Sequence, residues 1–572
     1  MSVNKKDIIK LLEQIGVHLE LKGENPFKIS AYRKAAQALE QDDRSLSDIE
    51  DFTKIKGIGK GTAAVIDEFV NTGRSETLAA LQEEVPSGLI PLLDLPGLGG
   101  KKLAKLYQEL GVTDANSLKE ASEDGRVENL PGFGKKSAQK ILAAIEEAGK
   151  RPERLPAAIM LPLAERIESY LSMIKEVEDF SRAGSLRRMR ETVKDIDYII
   201  ATSQPAEVRD QLLKMDHVKE VIAKGDTKIS VAMDDVYDIN VDFRLVAKEE
   251  FATTLHHFTG SKDHNVAMRQ LAKARGEKIN EYGIEREETG ELFTFSTEEE
   301  FFQHFGLTYI PPEVRENTGE VEAFTKDVPL LELSDIRGDL HMHTTWSDGA
   351  QSLEEMVNQA RKKGYSFLSV TDHSKYLRVA NGLDEDRLRK QREEISKLNE
   401  NYTDIEIFAG VEMDILPDGS LDFTDDFLRE LDFVIGAIHS SFSQSEEKIM
   451  KRLFNAMDNP YVSLIAHPTG RLIGRRKGYA VHMDGLLKRA KETETALEIN
   501  ANPNRLDLAP EWARKAQEIG VKLAINTDAH DYQMLDHMKY GVGAARKGWV
   551  RKETVLNTWS PDQLKEFFTR NK

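Results

Sequence analysis

Asp195-Ile196-Asp197 runs directly into the apolar stretch Tyr198-Ile199-Ile200-Ala201, the pattern of a strand. Residues i and i+2 share one strand face, so both carboxylates project together. A second strand is predicted over Asp238–Val246, where Ile239, Val241, Phe243 and Leu245 alternate with Asn240, Asp242 and Arg244. Three carboxylates on neighbouring strands can hold two Mg2+ ions about 4 Å apart, the arrangement used for in-line phosphoryl transfer. Upstream, Gly184-Ser185 opens a short helical segment carrying Arg187 and Arg188. Free N–H groups at a helix start, a serine hydroxyl and guanidinium groups suit a triphosphate.

A second constellation begins at Ile336, where strands and helices alternate and apolar runs end in metal-type residues. His341 and His343 close the first run, His373 the second, Glu412 the third and His439 the fourth. His467 closes the fifth, Asn500 the sixth, and Asp528 with His530 the seventh. Eight of the 14 histidines lie in this region, six of them at strand ends, a placement that unrelated structural histidines would not share. Asp348, in Trp346-Ser347-Asp348-Gly349, adds a further oxygen ligand. Mixed imidazole and carboxylate ligands suit Zn2+, Mn2+ or Fe2+. Seven βα units predict a barrel with its site at the C-terminal ends of the strands. Arg471, Arg475 and Arg476, just after His467, could hold substrate phosphates or form a solvated loop.

Helical and basic stretches lie ahead of these groups. Ile8, Leu11, Leu12 and Ile15 have helical spacing. Lys28 and Tyr32 fall in a basic helical stretch. Gly57-Ile58-Gly59-Lys60, Gly97-Leu98-Gly99 with Lys101 and Lys102, and Gly132-Phe133-Gly134 with Lys135 and Lys136 repeat one pattern. Such turns expose backbone N–H groups to a phosphate, and the lysines add charge.

A chain of 572 residues is expected to hold several domains. It has no cysteine, which excludes disulfides and thiolate metal sites and points to a reducing cytoplasm. No apolar run is long enough for a membrane span, and the N-terminus carries no apolar signal core. The net charge of −19 weighs little against nucleic-acid binding, which depends on the local basic surface. Residues 316–335 are polar and acidic and read as a linker, the only connection between the two constellations.

Together, Gly184-Ser185 with paired arginines, Asp195-x-Asp197 and Asp242 resemble the nucleotidyltransferase palm of family X DNA polymerases, the group that includes DNA polymerase beta. The Gly-x-Gly-Lys turns resemble helix-hairpin-helix motifs, which grip the DNA backbone without reading sequence. His257, Phe258, Gly260, Ser261, Asn265 and Arg269 resemble the family's segment lining the nucleotide's sugar and base; polymerase beta has tyrosine where His257 stands. Asn240 is a second departure, arginine in polymerase beta. His341, His343, Asp348, His373, Glu412, His439, His467, Asp528 and His530 resemble the nine-ligand set of the polymerase and histidinol phosphatase (PHP) domain.

The resemblance covers nearly the whole chain and implies a multidomain fold. Helical helix-hairpin-helix domains (1–80 and 85–150) precede an α+β palm (155–250) and thumb (251–315). After the linker (316–335) comes a seven-stranded α/β, TIM-like PHP barrel (336–572). It implies a monomeric, cytoplasmic DNA polymerase that fills short gaps in base excision repair. Its partners would be gapped or nicked DNA, primer 3′ ends and dNTPs. Asp195, Asp197 and Asp242 would hold two Mg2+, and Gly184, Ser185 and Arg188 the nucleotide. The PHP domain, with up to three Mn2+ or Zn2+, would trim 3′ ends as a 3′–5′ exonuclease and cleave at abasic sites. Lys28, Tyr32 and Lys60 would lie near a pocket for a downstream 5′-phosphate. The lysine that forms a Schiff base in the family aligns with Val65, so that chemistry is expected to be absent.

Overall fold

The computed structural model describes residues 3–571 apart from 4, 41, 43–45, 47–48, 50, 96–97 and 149–151. The chain forms two compact units. One comprises Met1–Pro152 with the short segments Thr344–Ser352 and Asp372–Leu388, and the other Glu153–His343, Leu353–Thr371 and Arg389–Lys572.

The first unit is helical. Ile8, Leu12 and Ile15 of the helix Lys5–Lys22 pack with Ala35 and Leu39 of Pro26–Glu40 and Ile66 of Lys60–Thr72. Gly73 ends the last of these in the left-handed conformation, and Ser75 caps the helix Glu76–Glu84 that follows. A second core joins Leu103 and Leu106 of Gly100–Leu110 to Leu118 of Ala115–Glu123 and Ile141 of Lys135–Ala148. Among the two short segments, Val379 packs against the first core, and Asn381 Nδ2 donates to the Trp346 carbonyl at 3.1 Å.

The second unit starts with a five-stranded sheet in the order Asp179–Arg182, Ile196–Ala201, Asp238–Val246, Lys228–Asp234, Val218–Lys224. The alternation read from the sequence is the alternation found: Ile239, Val241, Phe243 and Leu245 are buried, while their neighbours face outward. The strands Ile196–Ala201 and Asp238–Val246 run parallel, and the other pairs antiparallel. The helix Phe251–Thr259 covers one face through Phe251 and Leu255, packed on Ile199 and Ala201. Residues further on gather around Met268, Ile284, Phe301, Phe302 and Ile310.

Residues 316–335 are not a free linker. Phe324 and Leu330 close the core formed by Phe301 and Phe302, and Glu320 is fully buried. Its carboxylate accepts from His264 Nδ1 at 2.7 Å and from two backbone N–H groups. The acidic residues that looked solvated are held by partners remote in sequence.

The C-terminal region is a seven-stranded parallel sheet in sequence order, from Gly338–Asp339 to Leu523–Asn526. A parallel bridge between Met342 and Ala529 brings its two ends together as a nearly closed barrel. All seven runs identified from the sequence are its strands. Their starts enclose Phe367, Phe408 and Phe433, sealed by Phe568 from the final helix Pro561–Thr569. Within this unit the barrel also contacts the segment that carries the five-stranded sheet. Arg471 Nη2 lies 2.6 Å from Glu191 Oε1, and Lys539 and Tyr540 both reach Glu165, at 2.6 and 2.7 Å.

Candidate active sites

Asp197 stands directly opposite Asp242 in the parallel strand pair, and Asp195 precedes the first strand by one residue. Gly184 lies against this cluster with φ +62°, and a β-carbon there would collide with Oδ2 of Asp197. Glycine is therefore required twice, for the left-handed backbone and for the close approach. Burial, with Asp195 and Asp242 alongside, raises the Asp197 carboxyl to about 7. Lys228, which sequence reading missed, sets Nζ 2.7 Å from Oδ2 of Asp242. Three crowded carboxylates with a cation drawn to them form a donor set that fits divalent metal.

Ser185 sits in the short helix Gly184–Arg187, half-buried. Arg188 Nη1 donates to the Thr259 carbonyl and Nε to Glu316 Oε1, the latter at 3.3 Å. Arg187 is committed elsewhere, to Glu298 at 2.7 Å. Glu298 also receives Arg315 at 2.5 Å. Burial opposes its ionisation, but Arg315 and Arg187 outweigh burial and lower its carboxyl to about 2.

The residues expected to line a nucleotide gather beside these groups. His257 packs on Phe258, and the Arg244 guanidinium lies 3.8 Å from the centre of the Phe258 ring. Asn265 Nδ2 donates to the His257 carbonyl at 2.8 Å, while its buried Oδ1 has no hydrogen-bond partner among the described residues. A β-carbon at Gly260 would come within 3.2 Å of Arg188 Nη1. Ser261 caps the helix Lys262–Lys273, and Arg269 is exposed on it.

Each Gly-x-Gly turn opens a helix: Gly59 before Lys60–Thr72, Gly99 before Gly100–Leu110, Gly134 before Lys135–Ala148. Gly57 and Gly132 have positive φ, whereas Gly97 lies outside the described residues. Lys28, Lys60, Lys101, Lys102, Lys135 and Lys136 are exposed. Tyr32 differs from the expectation: it is buried in the first core and does not stand among these lysines. Beside Lys28, Phe27 is 85% exposed, an aromatic ring on a basic surface that the lysine pattern did not reveal.

In the barrel, Glu412 lies among four imidazoles. Its carboxylate oxygens are between 3.0 and 3.6 Å from Nε2 of His341, His343, His439 and His467. Asp528 Oδ1 is 3.5 Å from His341 Nε2 and 3.2 Å from His343 Nε2. His530 stacks on His343 with ring centres 4.1 Å apart. Asp348 and His373 lie on the short segments of the other unit, 3.6 Å from each other. Two carboxylates that sequence reading passed over hold the imidazoles from behind. Glu498 accepts from His341 Nδ1 at 2.8 Å and from the His467 N–H at 2.7 Å. Asp414 is 3.2 Å from His439 Nδ1. A carboxylate inside the buried run Ala496–Asn500 was the available signal for Glu498.

Burial opposes protonation of His439, but Glu412 and Asp414 outweigh it and raise the imidazole to about 10. Glu498, Asp528 and Glu412 raise His341 in the same sense against its burial. His467 Nδ1 is buried with no hydrogen-bond partner among the described residues. Crowded imidazoles and carboxylates backed by a second layer of carboxylates fit divalent cations. Arg471, read as either a phosphate ligand or part of a solvated loop, is spent on Glu191, whereas Arg505 approaches Asp528 Oδ2 at 3.7 Å.

Comparison with known proteins finds relatives of several segments and of the whole chain. Family models match as a helix-hairpin-helix domain over residues 3–75 and a SAM-like helix-hairpin-helix tandem over 89–147. A DNA polymerase beta thumb matches over 254–316 and a PHP domain over 339–502. A probable phosphatase of Thermoanaerobacter sp. (strain X514) is 30% identical over 245 residues, 41% of this chain and 95% of that protein. The DNA polymerase/3′-5′ exonuclease PolX of Bacillus subtilis (strain 168) is 60% identical over 569 residues, 100% of both chains. With that identity along its full length, the chain belongs to the bacterial family X DNA polymerases that carry a C-terminal PHP domain.

Proposed function

We propose that this protein fills short gaps in DNA during base excision repair and trims 3′ ends through its barrel. The observation that carries the synthetic half is Asp197 opposite Asp242 with Gly184 pressed against Asp197. Asp195, Asp197 and Asp242 would hold two Mg2+, which supply positive charge to the reacting phosphate. Asp242 takes the proton of the primer 3′-hydroxyl. The freed oxygen bonds to the α-phosphorus of a dNTP, and pyrophosphate leaves. Gly184, Ser185 and Arg188 hold the β- and γ-phosphates. His257, Phe258, Gly260, Ser261, Asn265 and Arg269 line the sugar and base. Lys28, Lys60 and the lysines and glycines of the hairpins hold the DNA backbone, with a downstream 5′-phosphate near Lys28 and Lys60.

The trimming half rests on Glu412 surrounded by four imidazoles. His341, His343, Glu412, His439, His467, Asp528 and His530 would hold Mn2+ or Zn2+; the family's ligand set adds Asp348 and His373. The ions supply Lewis-acid polarisation of a phosphoryl oxygen and a hydroxide nucleophile near neutral pH. Glu498 and Asp414 fix which imidazole nitrogen faces them. Abasic-site cleavage would use the same hydrolytic chemistry.

A labelled one-nucleotide gap incubated with dNTPs in Mg2+, then without dNTPs in Mn2+, tests both halves. Extension in the first and shortening in the second are expected; neither reaction in a folded, metal-loaded protein would overturn the reading. A second reading of the barrel, action on a small phosphoester, is favoured by its similarity to probable phosphatases. Inhibition of DNA trimming by a sugar phosphate at substrate-like concentration would support it.

A further inference from the structure

The helix Met538–Lys547 belongs to the C-terminal region, yet its last turn ends against Arg188. A β-carbon at Gly543 would press on Met189, the residue after Arg188. Arg546 anchors the turn through Glu313 at 3.2 Å, Glu332 at 2.5 Å and the Leu331 carbonyl at 2.9 Å. Lys547, largely buried, then reaches three oxygens: Glu316 Oε1 at 2.8 Å, the Arg188 carbonyl at 3.3 Å and the Glu313 carbonyl at 3.4 Å.

One oxygen, Glu316 Oε1, is therefore shared by three cations. Lys547 Nζ is closest at 2.8 Å, Arg188 Nε lies at 3.3 Å and Arg190 Nη1 at 3.8 Å. A carboxylate beside a phosphate-binding guanidinium competes with the phosphate for it, because both are anionic acceptors of the same N–H groups. The lysine engages that carboxylate most closely and leaves Arg188 the longer contact.

We propose that Lys547 is a positioning residue of the polymerase nucleotide site, supplied by the PHP domain. It draws Glu316 away from Arg188 and braces the Arg188 backbone, so that the guanidinium is available to the triphosphate. The inference rests on the reading that Arg188 holds the β- and γ-phosphates. It gives the C-terminal domain a role in synthesis separate from its own hydrolytic site.

The test uses the full-length protein on a one-nucleotide gap in Mg2+. Lys547→Met keeps the aliphatic stem and removes the charge. It is expected to raise KM for dNTP about tenfold, equivalent to about 1.4 kcal/mol, with kcat within twofold and Mn2+-dependent 3′ trimming unchanged. Lys547→Arg should restore KM. Adding Glu316→Gln to Lys547→Met should also restore it, because the competing carboxylate is gone. A merely structural lysine would alter trimming or thermal stability and would show no such rescue. Arg188→Ala separates the two levels. If it leaves KM unchanged, the phosphate role of Arg188 fails, and the inference with it. If Arg188→Ala raises KM but Lys547→Met does not, the inference alone is overturned.

Discussion

Asp197 and Asp242 face each other across the parallel strand pair of the palm, with Asp195 adjoining. That arrangement is unfavourable without cations: burial and the two neighbouring carboxylates raise Asp197 to about 7.

The raised carboxyl predicts a pH-dependent stability. A carboxyl whose folded pKa exceeds its unfolded value near 4 binds a proton on folding. The metal-free protein should therefore lose stability as pH rises from about 4 to about 7. Asp197→Asn should remove that loss and stabilise metal-free protein at pH 7.5 by about 4 kcal/mol. Near pH 4 the two should unfold alike. Mg2+ should raise the melting temperature of the native protein more than that of the variant. Calorimetry at both pH values would show it, and an equal or lower melting temperature for the variant at pH 7.5 would refute it.

Glu298 shows the opposite sign. Arg315 and Arg187 hold its carboxyl near 2 against burial, so its stabilising effect is complete above about pH 4.5 and is lost as pH falls towards 2. Glu298→Gln leaves two guanidinium groups facing a neutral amide and should cost about 3–5 kcal/mol at neutral pH. The gap between variant and native protein should narrow in acid. Denaturant titrations at pH 7 and pH 3 compare the two; a gap that widened at pH 3 would exclude the ion-pair account.

How far the sequence could be read depends on the range of the interaction. The strand Asp238–Val246 and the seven barrel strands declare themselves by local periodicity, and the helices after Gly59, Gly99 and Gly134 by local turn chemistry. Glu316 and Glu320 looked like solvated linker acids because their partners, Lys547 and His264, are 231 and 56 residues away. Arg471 looked like a phosphate ligand because nothing nearby announces Glu191, 280 residues earlier. Tyr32 lies in a basic stretch, but the packing of helices around Ile8 and Leu12 turns it inward.

Glu498 makes a prediction about the barrel. It accepts from His341 Nδ1 and the His467 N–H, so Glu498→Gln alters the tautomer and orientation of His341 while leaving the proposed ligands in place. Mn2+ affinity should fall about 10–100-fold, and trimming should recover at high Mn2+. Gap filling in Mg2+ should be unchanged. Titration calorimetry with Mn2+ measures the first effect directly; unchanged affinity would exclude an orienting role.

DNA binding should be mostly electrostatic. Each phosphate neutralised in duplex contributes a slope of about 0.9 in log affinity against log salt. Lys60→Ala, Lys102→Ala and Lys135→Ala should each lower the slope by up to that amount. Phe27→Ala should weaken binding to gapped DNA by about 1–3 kcal/mol without changing the slope, the signature of stacking on an exposed base. Fluorescence anisotropy over a salt series separates the two classes; a salt-independent dissociation constant would end the hairpin reading.

The same helical domain should not cleave abasic sites through a Schiff base. That reaction needs a lysine amine, partly neutral, placed to attack the sugar aldehyde. Val65 occupies the position where the family's lysine aligns, and its side chain is buried in the core with Ile58 and Ile66. Lys60 is exposed at the start of the helix Lys60–Thr72. Backbone N–H groups at that helix start attract phosphate, and a bound phosphate favours the protonated, non-nucleophilic ammonium. Borohydride treatment on a 5′-deoxyribose-phosphate gap is therefore expected to trap no adduct. Abasic cleavage, where present, should depend on Mn2+ and disappear with His341→Ala. A trapped adduct lost with Lys60→Ala would overturn this assignment and place a second cleavage chemistry in the N-terminal domain.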